Sequence, residues 1–133
     1  MIKQQALDNA INLMELEFYR VKRYGISICV AIVESECKDL FNNVIENTIR
    51  TSDLYQYLDA NSFVILFDHT DAKGAKKALD KIVSNMENIC DKDVFMGYTQ
   101  VLKTDEESSI TLQRALKALK SAKQSKNDNI VRL

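Results

Sequence analysis

No proline interrupts this chain of 133 residues and only three glycines do, so the backbone has few built-in breaks and long regular elements are predicted. Apolar spacing then says which elements. Residues 2–23 carry Ile2, Ala6, Ala10, Leu13, Leu16 and Tyr19 at intervals of three and four, an amphipathic helix that Gly25 ends. Ile26 to Val33 is a β-branched apolar run and is predicted as a buried strand. Residues 38–50 return to helical spacing through Leu40, Phe41, Val44, Ile45 and Ile49. Two short strands follow, at 54–58 and 62–67, joined through Asp59-Ala60-Asn61. Asp and Asn tolerate turn geometry, so this is a predicted hairpin. Asp71 is the predicted cap of a helix to residue 88, with Ala72, Ala75, Leu79, Ile82, Val83 and Met86 on one face. Val94 to Val101 reads as a strand, Ser108 or Ser109 opens a helix to 125, and Ile130-Val131 is a short final strand.

Between residues 26 and 101 the order is β-α-β-β-α-β, which predicts an α+β fold: a ferredoxin-like antiparallel sheet with an added helix at each end. Right-handed crossovers put the first strand in the sheet centre, antiparallel to the third. The carboxyl end of that strand, with Glu34 and Glu36, is therefore predicted to lie beside the tip of the 59–62 hairpin. The length fits one domain, residues 1–133, and the 46% apolar and 28% charged fractions are those of a globular protein. Eighteen basic against 19 acidic residues give no global field for nucleic acid or anionic lipid. The longest apolar run is too short to span a bilayer and the start lacks a signal-peptide core, so a cytoplasmic protein is expected. The three cysteines show no CxxC or Cys/His spacing. Free, mostly buried thiols are expected rather than a zinc site or disulfide framework.

Four segments together resemble the GGDEF (diguanylate cyclase) family along nearly the whole chain. Tyr57-Leu58-Asp59-Ala60-Asn61-Ser62-Phe63 stands where the family has its signature turn before an apolar strand. Arg20 to Gly25 with the strand after it, Met96-Gly97-Tyr98-Thr99, and Ala115 to Lys123 match the family's first helix, late strand and last helix. The family condenses two GTP molecules, each held by one domain of a dimer. That chemistry needs two metal ions on carboxylates, bare backbone under the triphosphate and a guanine pocket.

Position by position, the resemblance implies a degenerate signature at Asp59, Ala60, Asn61, Ser62 and Phe63. The first-strand acidic motif survives as Glu34-Ser35-Glu36, leaving a residual acid at Glu34, but its partner carboxylate is the neutral Asn61 and the next glutamate is Ser62. Magnesium favours charged oxygen ligands in strict octahedral geometry, so no metal site or cofactor is expected. The glycine pair, which lets backbone approach phosphate, is Asp59-Ala60. A carboxylate about 4 Å from phosphate at an effective dielectric of about 20 is repelled by roughly 4 kcal/mol, about a thousandfold in affinity. The segment Cys37 to Arg50 holds one helix and none of the family's guanine-reading elements beyond Lys38. The expectation is therefore not an enzyme but a catalytically inactive regulatory or protein-interaction domain, acting on a protein partner or by self-association. The alternative is a cyclic di-GMP receptor, with an active diguanylate cyclase kept last.

The receptor alternative rests on Arg50-Thr51-Ser52-Asp53, which has the residues and spacing of the family's inhibitory site for a cyclic di-GMP dimer. A guanidinium offers forked donors to guanine or phosphate, and a carboxylate accepts from a guanine N–H. An Arg and Asp at a helix-to-strand junction also commonly pair locally. His69, between Asp68 and Thr70, reads as an exposed turn residue. Lys117, Lys120, Lys123 and Lys126 read as a solvated helix stripe, with Lys123 matching a phosphate-contacting lysine of the family.

Overall fold

Strand Cys29–Ser35 (β1) forms the middle of a sheet because its side chains are apolar on both faces and each face finds a helical layer. The computed structural model describes residues 2–125 and 129–133, and only the backbone of residues 38–42. Helix α1 (Gln4–Tyr24) precedes β1. After it come α2 (Lys38–Thr48), β2 (Leu54–Asp59), β3 (Ser62–Phe67), α3 (Ala72–Glu87), β4 (Val94–Gln100), α4 (Ser108–Gln124) and β5 (Ile130–Arg132). The strand order is β2-β3-β1-β4-β5. The first four strands are antiparallel to their neighbours and β5 runs parallel to β4. The predicted ferredoxin-like core with helices added at both ends is the fold observed.

Alternation along β1 assigns the two layers. Cys29, Ala31 and Val33 pack with Phe63, Ile65 and Phe67 of β3 beneath α2 and α3, which contribute Val44, Ile45, Ala75, Leu79, Ile82 and Met86. Val30 and Ile32 face the other way, with Val64 and Leu66, against α1 and α4. A sheet covered on both faces is why β1 reads as an unbroken apolar run rather than an alternating one.

Local chemistry fixes the element ends. Gly25 closes α1 at φ 68°, its N–H donating to the Val21 carbonyl, a left-handed cap that suits glycine. The Asp71 carboxylate caps α3 by accepting from the Gly74 N–H at 2.9 Å. Helix α4 opens at Ser108, one of the two serines expected to start it. Glu107 holds the cap position, while Ser108 is the first helical residue and its hydroxyl donates to Glu15 of α1 at 2.7 Å.

Two sequence expectations are corrected. The buried stripe of α1 runs through Ala10, Met14 and Val21, with Leu7 and Phe18 packed beside them. Leu16 and Tyr19, expected on that stripe, are exposed. The second correction concerns the cysteines. Cys29 is a free buried thiol as expected, but Cys37 and Cys90 form a disulfide with Cα atoms 6.5 Å apart. Their separation of 53 residues hid the pair, and the fold brings the start of α2 against the end of α3.

Candidate functional sites

The predicted meeting of β1 with the hairpin tip is realised. Glu34 pairs with Ser62 across the sheet and the Ser35 N–H donates to the Asn61 carbonyl at 2.8 Å. The hairpin turns on its own aspartate: Asp59 Oδ1 accepts from the Asn61 N–H and the Ser62 hydroxyl, both at 2.8 Å. That Asx-type arrangement lets the tip turn without any residue at positive φ, so no glycine is required there. Ser62 and Phe63 are buried in β3, and Tyr57 packs edge-on against Phe63 with ring centroids 4.8 Å apart. The signature positions thus form one closed local structure, with Ala60 at its tip.

Around that tip opens a first cleft of about 460 Å³, lined by Glu34, Glu36, Asp59, Asn61, Phe95 and Lys123 together with the loop Asp91-Lys92-Asp93. The loop was not expected there; it carries no signal in the sequence beyond following the end of α3. Lys123, read as a solvated lysine, instead forms an ion pair with Glu34 at 2.8 Å. Glu34 and Lys123, which the resemblance matched to a metal-position acid and a phosphate-contacting lysine, are therefore each other's partners. Among the described residues no three acidic, imidazole or thiol groups converge as a metal-ligand set. With Glu34 engaged by Lys123 and Asn61 neutral, the donors do not fit a magnesium pair in this arrangement.

A second cleft, of about 540 Å³, lies where α2 hands over to β2 beside the start of α3. Arg50, Asp53, His69, Thr70, Lys77 and Lys81 are among its lining residues. Asp53 is a strut: its side chain is only 2% exposed, Oδ2 accepts from the Arg50 N–H at 2.9 Å, and Oδ1 accepts from the Asp68 N–H at 2.8 Å. Both carboxylate oxygens are thus committed to backbone, and the local pairing expected at this junction is present. The Arg50 side chain is 56% exposed. It donates through Nη2 to the Asp68 carbonyl and the Thr70 hydroxyl, and that nitrogen lies 3.5 Å from Asp53. Among the described residues, Nε and Nη1 make no hydrogen bond or ion pair. His69 occupies an exposed turn, as expected, at φ 47° with Nδ1 3.1 Å from Asp68.

Lys77 and Lys81 at this cleft were not anticipated, although their spacing of four on α3 places them on one face. Lys117, Lys120 and Lys123 are exposed on α4, whereas Lys126 lies outside the described residues. The Lys38 side chain does too. No helix among the described residues is long and apolar enough to cross a membrane.

No protein-family model matches the sequence, and no curated protein matches it. Solved structures do. The diguanylate cyclase SiaD from Pseudomonas aeruginosa, in complex with its activator SiaC, superposes with a TM-score of 0.82 at 19% identity. That match covers 95% of this chain and 57% of SiaD, so the chain spans little more than half of that protein. The GGDEF domain of DgcB from Caulobacter crescentus, in complex with cyclic di-GMP, matches with a TM-score of 0.78 at 14% identity over 92% of this chain and 84% of that one. The active GGEEF domain of a diguanylate cyclase from Vibrio cholerae matches with a TM-score of 0.77 at 13% identity, over 91% and 94%. The chain has the GGDEF fold. The expectation that it is not an enzyme is overturned here, because the solved proteins that share its fold include diguanylate cyclases, one of them described as active.

Proposed function

We propose that this GGDEF-like domain serves cyclic di-GMP signalling as a regulatory module that recognises the dinucleotide at the second cleft. The observation that carries this reading is the half-exposed Arg50 guanidinium. Asp53 anchors its backbone, and Arg50 lines a cleft that also holds Lys77 and Lys81. A planar cation held from behind suits bidentate contact with a guanine edge or phosphate, and two lysines lining the same cleft add charge for the second phosphate. DgcB is known in complex with cyclic di-GMP, which gives the fold a precedent for this ligand. In this reading Arg50 touches the ligand and Asp53 positions it, because the Asp53 oxygens already serve backbone amides.

Calorimetry tests it. Cyclic di-GMP is expected to bind the parent chain, and Arg50→Ala is expected to weaken binding about 10- to 100-fold, the range of one lost charge-assisted bidentate contact. Lys77→Ala and Lys81→Ala weaken it by smaller steps. An absence of heat with the parent chain at about millimolar ligand removes the proposal.

A partner-binding role rests on a different face. Leu16 and Tyr24 of α1 are 67% and 68% exposed, with Tyr19 half-exposed between them. Large apolar side chains on one exposed helix favour association. SiaD, in complex with its activator, shows that a GGDEF-containing protein engages a protein partner. Light scattering is expected to give a mass above the 15.2 kDa of one chain at high concentration, reverting with Leu16→Glu. A monomer mass throughout excludes self-association.

A further inference from the structure

The cysteines fall into two chemical classes. Cys29 is fully buried in β1, and burial, with a smaller contribution from the charge of Asp71, pushes its thiol up to about 12. A thiol in that state is inert to exchange. Cys37 and Cys90 are half-buried, bonded to each other, and both line an open cleft of about 580 Å³ together with Glu36, Glu87, Asp91 and Lys92. Solvent therefore reaches this disulfide.

Its position matters as much as its access. Cys37 directly follows Glu36, and Cys90 directly precedes Asp91-Lys92-Asp93. All four of those neighbours line the first cleft beside the hairpin tip. The bond thus staples two walls of that cleft.

We propose that Cys37 and Cys90 are a reversible thiol–disulfide site, opened by a thiol reductant from the exposed cleft, whose state sets how firmly residues 91–93 are held against the end of β1. The geometry gives the order of events. Cys37 occupies the N-cap of α2, where helix amides on their own would favour its departure as the thiolate. The carboxylates of Glu36, Glu87 and Asp91 oppose that effect, and access rather than acidity is what separates this pair from Cys29. Cys90 Sγ accepts from the Lys92 N–H at 3.3 Å, a donor placed to stabilise a departing thiolate.

In reduction, an incoming thiolate forms a bond to Cys37 Sγ as the Cys37–Cys90 bond breaks, and Cys90 leaves as the thiolate and takes a proton. A second reductant thiolate then attacks the reductant's sulfur in the mixed disulfide and releases Cys37. Two reductant thiols become one disulfide, and the protein gains two electrons and two protons. Oxidation by a low-molecular-weight disulfide such as oxidised glutathione runs the same steps backwards.

The test equilibrates the folded chain in buffers of reduced and oxidised glutathione, quenches with acid, alkylates and weighs the product. Cys37 and Cys90 are expected to convert together between alkylated and bonded forms as the ratio changes, with Cys29 constant. Amide hydrogen exchange on the parent chain needs no substitution and reads the coupling. Residues 91–93 are expected to exchange at least ~10-fold faster in the reduced form. Cys90→Ser should match the reduced parent in exchange whatever the buffer. Three results each overturn the proposal: Cys37 and Cys90 both alkylated in oxidised glutathione alone, a bond that stays closed in the folded chain under about 10 mM dithiothreitol, or equal exchange at 91–93 in the two forms.

Discussion

Arg114→Leu is expected to lower the stability of the fold by about 3–5 kcal/mol at neutral pH, the cost of stripping the partner from a buried charge. Asp105, in the loop between β4 and α4, has a side chain only 4% exposed. Arg114 of α4 meets it with two parallel hydrogen bonds, Nη1 to Oδ1 and Nη2 to Oδ2, each 2.8 Å. Thr111 donates to Oδ2 at 2.6 Å and the Leu102 N–H donates to the same oxygen at 3.0 Å. The remaining guanidinium donors reach the Thr99 hydroxyl at 2.7 Å and the Gln100 carbonyl at 2.9 Å. Thr99 in turn donates to the Leu133 carbonyl at 3.0 Å, so one network ties β4, α4 and the C-terminal strand together.

The pH dependence follows from the same contacts. Burial alone raises the Asp105 carboxyl, but the hydrogen bonds from Arg114, Thr111 and Leu102 and the Arg114 charge outweigh it and hold the group down at about 2. A carboxyl depressed in the folded state stabilises the fold above its unfolded value near 3.8, and that contribution of about 2 kcal/mol is lost as pH falls through the folded value. In Arg114→Leu the share of that offset due to the guanidinium is lost while Thr111 and Leu102 still donate, so Asp105 takes up its proton at higher pH than in the parent. The stability gap between parent and variant is therefore expected to be widest near neutrality and to narrow below about pH 4. Urea unfolding at a series of pH values measures it, with Asp105→Asn as the companion that removes the titrating group. A gap that is the same at pH 7 and pH 3 would falsify the assignment.

That network was invisible in the sequence, and the reason separates what the chain disclosed from what it withheld. Periodicity disclosed the strands and helices because burial imposes it residue by residue: Cys29 to Val33 and Phe63 to Phe67 are apolar because a helical layer covers each face. Periodicity was less able to fix rotation. Along Ala10, Leu13, Leu16 and Tyr19 each step of three residues falls about 60° short of a full turn, so the stripe drifts off the buried face. The sequence offered Leu7, Ala10, Met14, Phe18 and Val21 as well, and those follow the face that packs.

The site was legible only in part, for a similar reason. Chain order and strand pairing carried Glu34 to the hairpin tip, because register links Glu34 to Ser62. Side-chain pairing across elements leaves no local trace. Glu34 with Lys123, Cys37 with Cys90, and Asp105 with Arg114 each join segments whose meeting depends on the finished fold. The Arg50-to-Asp53 motif was legible as a motif, but its division of labour was not. Asp53 turned inward to two backbone amides and left Arg50 as the exposed member of the pair.

Gly97→Ala is expected to destabilise the fold by about 3 kcal/mol or more, against the usual trend for glycine in a strand. Alanine ordinarily restricts the unfolded chain and packs better, which favours it by about 0.5–1 kcal/mol. Here there is no room for it. Gly97 sits in β4 between Ile32 of β1 and Val131 of β5, directly under α4. A Cβ at this position would lie 2.0 Å from the Leu119 nitrogen and 2.6 Å from both the Ala118 carbonyl carbon and the Leu119 Cα. These are backbone atoms in the middle of a helix, so no side chain can swing aside. Relief requires α4 to lift away from the sheet, which loosens Ala115, Ala118 and Ala122, all fully buried against it. Gly74→Ala supplies the contrast, because its nearest neighbour is the Thr70 Cγ2 methyl at 3.0 Å, a side-chain atom that can give. Helix propensity favours alanine there by up to about 1 kcal/mol, and a result within about 1 kcal/mol of the parent is expected. Thermal and urea unfolding of the two variants compare a backbone obstruction with a side-chain one. Equal stability of Gly97→Ala and the parent would mean that α4 does not rest on the sheet at this point, and the packing of that whole face would have to be redrawn.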